Sequence, residues 1–330
     1  MAKVGKGFLT MLLLASAALG ATSVKQDADL EAGRRAYEAS EYAKAVQALQ
    51  TAAAKDPQNG DVHLLLAKSY LEMEQWDAAV KSAERAVAVD PQNSKYHEWL
   101  GRAYGEKADH VNPFSAMGLA RKAGKEFEVA VQLDESNFSA RQALIEFDCK
   151  APGIVGGGVE KAQPHIQRLG DLDEAEGHYA KGNCRRQKND LATADQEFTK
   201  ALESNPKSPD LIYDIGDYGV THSQPDRLLA VADMGERVAP SDPRGYYYRG
   251  VALVLKKENP AEAERLLREY LQKAPMRSGY PRPAAAHVWL GRLFENPNRL
   301  EDAVKEYETA LKLDRKNKMA QDALKRLKRR

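Results

Sequence analysis

The sequence predicts an all-α chain built of stacked helix pairs, and three observations carry that expectation. Small residues recur on a period of 34 positions, proline recurs near the end of the period, and the composition is that of a folded chain, with 43% hydrophobic and 29% charged residues. With the first mark at Gln26, position 8 is small at Gly33, Ala67 and Gly101. Position 20 is Ala45 and Ala79, position 27 is Ala52 and Ala86, and position 32 is Pro57 and Pro91. The pattern returns as Gly182, Ala194, Ala201 and Pro206, then as Gly216 with Pro240. It continues with Gly250, Ala263 and Pro275 and ends with Gly291, Ala303 and Ala310. The spacing has a physical cause: two antiparallel helices of about 12–14 residues approach closely only where small side chains face each other. Proline then stops the second helix and opens the turn into the next pair.

Small residues at positions 8, 20 and 27 with proline at 32 make the chain resemble the tetratricopeptide repeat family. The resemblance implies a right-handed superhelical solenoid of about eight helix-turn-helix repeats, at 26–59, 60–93, 94–137, 138–174, 175–208, 209–242, 243–283 and 284–317. The basic segment 318–330, "KMAQDALKRLKRR", is expected to cap the last pair, as a solenoid end requires a polar outer face. Repeat 3 carries about ten extra residues between its helices, and repeat 6 has Leu228 where alanine is expected.

Repeat 4 carries "APGIVGGGVEKA", residues 151–162. A phosphate loop requires G-x-x-x-x-G-K-[ST] after a strand, whereas a helical pattern precedes this segment and its glycine spacing differs. Pro152 is expected to end a helix, and the glycines to form a turn that doubles back before Val159; an anion held at that helix start is the alternative. The insertions of repeats 3 and 4 are expected to be neighbours, so that Phe114, Met117, Ile154 and Val155 pack together as the candidate wall of a pocket. The segment is similar to the P-x-x-x-G-G turn of exported bacterial repeat proteins paired with TRAP-type solute transporters.

Lys3 and Lys6 precede an apolar stretch from Phe8 to Leu19, followed by small residues in "AALGATS". This is the pattern of a signal peptide over residues 1–20, with 21–25 as a leader, and it predicts a periplasmic or secreted protein. A spanning helix needs about 20 apolar residues, so no stable membrane insertion is expected after cleavage; an uncleaved anchor is the alternative. The balance of 49 basic and 48 acidic residues gives no field that favours nucleic acid.

His63, His97, His178 and His287 all fall at position 4, which reads as packing between helices rather than as a metal set. His110 and His165, with Asp109, lie outside the repeat logic but supply no triad. Neither a nucleophile with its base nor a cofactor fingerprint is present, so the expectation is a non-catalytic protein without cofactor or metal. Cys149 and Cys184 are expected to be unpaired, partly buried thiols, with a disulfide as the alternative.

Position 9 carries Arg34, Lys68 and Arg102, a cationic ladder that Glu38, Glu72 and Glu106 at position 13 are expected to neutralise within each helix. Position 5 carries Tyr179, Tyr213 and Tyr247, with Val220, Val251, Val254 and Leu255 around them. These seven form the candidate partner-binding face, with simple packing of the rings as the alternative. The functional expectation is a scaffold that holds a protein or peptide partner in the bacterial cell envelope through a concave face. The alternative is a periplasmic small-ligand accessory of a transporter.

Overall fold

The structure is a computed structural model that describes residues 28–296 and 298–328; the expected signal peptide and leader lie outside the described residues. Among the described residues every regular element is helical, and these residues divide between His165 and Ile166 into two compact units, unit 1 and unit 2.

Unit 1 runs through α1 (28–38), α2 (Tyr42–Lys55), α3 (Gly60–Glu72), α4 (Trp76–Val89), α5 (Ser94–Asp109), α6 (Pro113–Leu133) and α7 (Phe138–Lys150). A single 3₁₀ turn, Gly153–Val155, then leads into α8 (Val159–Leu172). From α2 to α7 each helix packs on its chain neighbour, and α5 also touches α3 and α7, so that alternate helices line up side by side. One turn recurs between pairs. In "DPQN", used twice, and "DESN", the aspartates Asp56, Asp90 and Asp134 accept the backbone N–H two residues on. Asn59, Asn93 and Asn137 then cap the next helix. Asx turn and N-cap together satisfy donors that a helix start leaves open.

The extra length of repeat 3 does not form a loop between helices. Only His110–Asn112 connects α5 to α6, and the inserted residues lengthen the helices instead, to 16 and 21 residues. Asn112 caps α6 through the Ser115 N–H, and Pro113 occupies the first turn, where its missing N–H costs nothing.

The glycine segment is a closed turn. Gly156 and Gly158 adopt φ of +105° and +153°, which glycine alone takes readily, and a Cβ on Gly157 would strike the Ala151 carbonyl. Its amides are spent within the chain: Gly156 donates to Gly153, Gly157 to Pro152 and Gly158 to the Asp148 carbonyl.

Unit 2 comprises the rest of α8 and then α9 (Glu174–Gln187), α10 (Leu191–Glu203), α11 (Pro209–Thr221), α12 (Pro225–Val238), α13 (Arg244–Lys256), α14 (Pro260–Lys273), α15 (Pro283–Leu293), α16 (Leu300–Leu313) and α17 (Lys318–Leu327). In both units the glycine at position 8 leaves room for one large side chain from the second helix of its pair. Leu49 fills the space over Gly33, Phe127 over Gly101, Phe198 over Gly182, Leu267 over Gly250 and Tyr307 over Gly291. The alanines at positions 20 and 27, such as Ala45, Ala52, Ala303 and Ala310, are fully buried. Repeat 6 inverts this scheme. Leu228 packs over Gly219, position 24 is the small Ala232, and the space over Gly216 is filled by Tyr248 from the next pair. α17 buries only Ala320 and Ala323, against α16.

Cys149 and Cys184 are both buried and both disulfide-bonded, which corrects the expectation of free thiols.

Candidate partner-binding surfaces

In unit 1 a cavity of about 910 Å³ opens between α3, α5 and the start of α7. At its centre the half-buried Trp99 ring carries the Lys68 ammonium 4.2 Å from its centroid and the Arg102 guanidinium carbon at 5.5 Å. Beneath them Glu98, 3% exposed, accepts from Arg102 Nε at 3.1 Å, from Ser139 Oγ at 2.6 Å and from Asn137 Nδ2 at 3.3 Å. Burial, then the charges of Lys95, Arg102 and Arg34, push the Lys68 ammonium down to about 8, with Glu98 opposing. The hollow is thus lined by the Trp99 ring, the cations of Lys68 and Lys95 and the carboxylates of Asp90, Glu98 and Asp134, while Arg102, Asn137 and Ser139 spend donors on Glu98. The ladder at position 9 is not cancelled in the expected way: Arg34 pairs with Glu31 and Arg102 with Glu98, one turn back rather than one turn on.

In unit 2 the predicted tyrosine face is largely core. Tyr213 and Tyr247 are 1% and 3% exposed, and Val251 is fully buried. Tyr213 stacks on Tyr248 with centroids 5.4 Å apart, and Tyr247 meets Tyr248 edge-on and Tyr270 at 5.2 Å. Arg244, itself buried, lies 4.4 Å over Tyr213 and 4.6 Å over Tyr280 while pairing with Asp210 and Asp242. No free ring face remains on Tyr213 or Tyr247 for a partner, which corrects their assignment as surface recognition residues. Tyr179 is half-buried and donates to Asp214 at 2.7 Å, as Tyr248 does to Asp217 at 2.8 Å. Desolvation by its neighbours, then the charges of Asp217 and Asp210, push the Asp214 carboxyl up to about 6, the Tyr179 hydrogen bond pulling the other way.

Of the predicted residues, Val254 and Leu255 do line a hollow. They flank a cavity of about 820 Å³ between α13, α15 and α17, walled also by Trp289, Tyr307 and Met319. Val220 packs half-buried on the core. Both cavities thus contain a tryptophan at position 6 of its repeat, Trp99 and Trp289, a recurrence that was available in the sequence.

The expected pocket wall does not close. Arg121 donates to the Ile154 carbonyl at 3.0 Å, so the two insertions are neighbours, yet only Val155 is buried. Phe114 and Ile154 stand in solvent because the lengthened α6 carries Phe114 to its exposed first turn.

The histidines at position 4 do more than pack. His97, His178 and His287 each place Nδ1 2.6 Å from a glutamate at position 23, respectively Glu126, Glu197 and Glu306. His63 and His97 reach the carbonyls of Pro57 and Pro91 with Nε2. His110 stacks on Trp76, Asp109 pairs with Lys150, and Arg141 donates to His165, so these three take separate partners. Among the described residues no three His, Cys, Asp or Glu side chains gather as a metal set.

Helix pairs stacked through small residues define a repeat protein of the helix-turn-helix class. Family profiles described as tetratricopeptide repeat match residues 36–102, 175–208 and 254–318, together about half the chain. The chain belongs to the tetratricopeptide repeat family, whose members are generally non-catalytic protein–protein interaction scaffolds. No curated protein matches it in sequence. Among solved structures it is similar to a thermophilic TPR protein of Thermus thermophilus, at 20% identity over 56% of this chain and 94% of that one, with a TM-score of 0.47. It is also similar to a tetratricopeptide repeat protein from Parabacteroides merdae, at 11% identity over 92% and 98% with a TM-score of 0.43. MamA matches at 20% identity over 52% and 93%, with a TM-score of 0.40.

Proposed function

We propose that the protein is a non-catalytic scaffold of the bacterial cell envelope that holds an extended, carboxylate-bearing polypeptide in the unit 1 cavity. The observation that carries this reading is the Trp99 ring set beside the Lys68 ammonium in an open, polar hollow that Lys95 also lines. A planar aromatic with adjacent cations binds a peptide chain and its acidic groups together. The envelope location is supported by the charged start, short apolar stretch and small-residue end of residues 1–20. Binding of an array of acidic and neutral ten-residue peptides to the full chain, by fluorescence anisotropy, tests the reading. Acidic peptides should bind more tightly, and Trp99→Ala should weaken them by on the order of 1–3 kcal/mol. Unchanged binding in Trp99→Ala would remove the cavity from consideration.

The alternative, a small-ligand accessory, draws on the unit 2 hollow, where Val254, Leu255, Val288 and Trp289 offer an apolar wall. A small apolar probe that binds there and is displaced by Trp289→Ala would favour it.

A further inference from the structure

Phe114, Met117 and Ile154 expose 86%, 38% and 70% of their surface. Phe114, Met117 and Arg121 fall at i, i+3 and i+7 along α6 and so share one face of the helix. Arg121 reaches from that face to the Ile154 carbonyl through Nε at 3.3 Å and Nη2 at 3.0 Å, which fixes the glycine turn beside it. α6 also contacts the Gly153–Val155 turn, so the three exposed apolar residues lie on the same edge of unit 1.

The exposed charge along this stretch of α6 is basic. No acidic residue occurs from His110 to Lys125, whereas Arg121, Lys122 and Lys125 are all exposed. Around the glycine turn the charge is mixed: Lys150 and Lys161 flank it, Asp109, Glu106 and Glu146 act on Lys150, and Glu160 is exposed. Phe114 and Ile154 are exposed enough to project from the surface.

The shape and charge together choose the occupant. A peptide side chain needs a hollow to be buried, whereas here the apolar groups themselves project. A second copy of the chain meeting the same face would set the basic stretch of α6 against its own like charges. An anionic bilayer needs no hollow: its interfacial zone accepts projecting aromatic and aliphatic groups, and its headgroups attract flanking lysine and arginine. We infer that this edge of unit 1 docks peripherally on an anionic lipid surface, with Phe114 and Ile154 entering the interface and Arg121, Lys122 and Lys125 lying over the headgroups. The docking is independent of the peptide cavity, which involves other residues.

Cosedimentation of the full chain with vesicles tests this, using phosphatidylcholine containing phosphatidylglycerol against phosphatidylcholine alone. The chain should sediment with the anionic vesicles and bind the neutral ones roughly fivefold less well. The double variant Phe114→Ser/Ile154→Ser should lose binding by roughly the same factor, because both side chains supply the apolar contact. Its circular dichroism and melting temperature should stay unchanged, since neither side chain is buried. Lys122→Glu/Lys125→Glu should lose binding as well. Failure of the unaltered chain to bind anionic vesicles overturns the inference. So does equal binding by Phe114→Ser/Ile154→Ser, which would move the attachment to another segment such as Phe8–Leu19. A conversion from dimer to monomer on Phe114→Ser, seen by light scattering, would make the edge a contact between copies and overturn it too.

Discussion

The Lys68 ammonium lies 4.2 Å from the centroid of the Trp99 ring, across the gap between α3 and α5. Two helices from successive pairs thereby place a cation over an aromatic face where a partner can reach both. The arrangement is not a stability device, because burial and the nearby Lys95 push the ammonium down from 10.5 to about 8.

The sign of that shift gives the first prediction. A lysine whose folded value is lowered destabilises the fold while it is protonated, and the cost fades as pH rises from about 8 towards 10.5. Lys68→Met should therefore leave stability at pH 7 unchanged or raise it by up to about 1–2 kcal/mol in urea denaturation, after allowance for partial solvation. The same change should weaken acidic-peptide binding. In the unaltered protein that binding should fall above pH 8, as Lys68 loses its charge, and in Lys68→Met this step in the pH profile should be missing.

The second prediction concerns Tyr213 and Gly235. A Cβ on Gly235 would collide with the Tyr213 hydroxyl and ring, so the glycine is there to admit the tyrosine. Gly235→Ala should cost about 1–3 kcal/mol by overpacking, and Tyr213→Phe should recover part of that loss in the double variant. Tyr213→Ala should cost about 3–5 kcal/mol, the range for a buried aromatic, and leave acidic-peptide affinity intact. Thermal unfolding monitored by circular dichroism reads both.

These two sites mark where the sequence is legible. Position 8 is readable because any side chain there strikes Phe127, Phe198 or Tyr307, so only small residues survive and the period shows. Position 5 is not readable in the same way, because a tyrosine there serves a groove or a neighbouring helix equally well. The deciding signal lay elsewhere in repeat 6: glycine in place of alanine at 235, and the small Ala232 at position 24, which together leave a space that Tyr213 and Tyr248 fill. Likewise the length of the repeat 3 insertion was plain, but its absorption into α5 and α6 depended on the Asn112–Pro113 helix start. The Lys68–Trp99 contact is not legible at all, because the ladder and the tryptophan belong to different repeats and meet only in the fold.

The third prediction follows from Glu197, whose side chain is 3% exposed and accepts from His178 at 2.6 Å, Lys181 at 2.9 Å and Lys200 at 3.3 Å. Burial alone would raise this carboxyl, but the hydrogen bonds from Lys181, His178 and Lys200 outweigh it and hold the group at about 2. A depressed carboxylate contributes stability above its ordinary value of 4.5 and loses it as pH falls towards 2. Glu197→Gln should cost about 2–3 kcal/mol at pH 7, and its stability should change less between pH 4.5 and 2 than that of the unaltered protein. Urea titrations across that range supply the comparison.

The fourth prediction separates a structural turn from an anion loop in the segment after α7. Gly157 lies against the Ala151 backbone, where no side chain can give way, while Gly153 has no atom within 4 Å of a would-be Cβ. Gly157→Ala should therefore cost about 2–3 kcal/mol through forced backbone movement, whereas Gly153→Ala should stay within about 0.5 kcal/mol of the unaltered chain. A loop that cradles anions would respond differently, since its amides would be free and ligand would stabilise the fold by mass action. Here the amides of Gly156, Gly157 and Gly158 already donate to Gly153, Pro152 and Asp148. Inorganic phosphate at millimolar concentration should thus leave the melting temperature of the full chain where it was, and leave the Gly157→Ala deficit unchanged. A phosphate-dependent rise abolished by Gly157→Ala would show that the turn binds anions after all, with its internal hydrogen bonds exchanged for ligand.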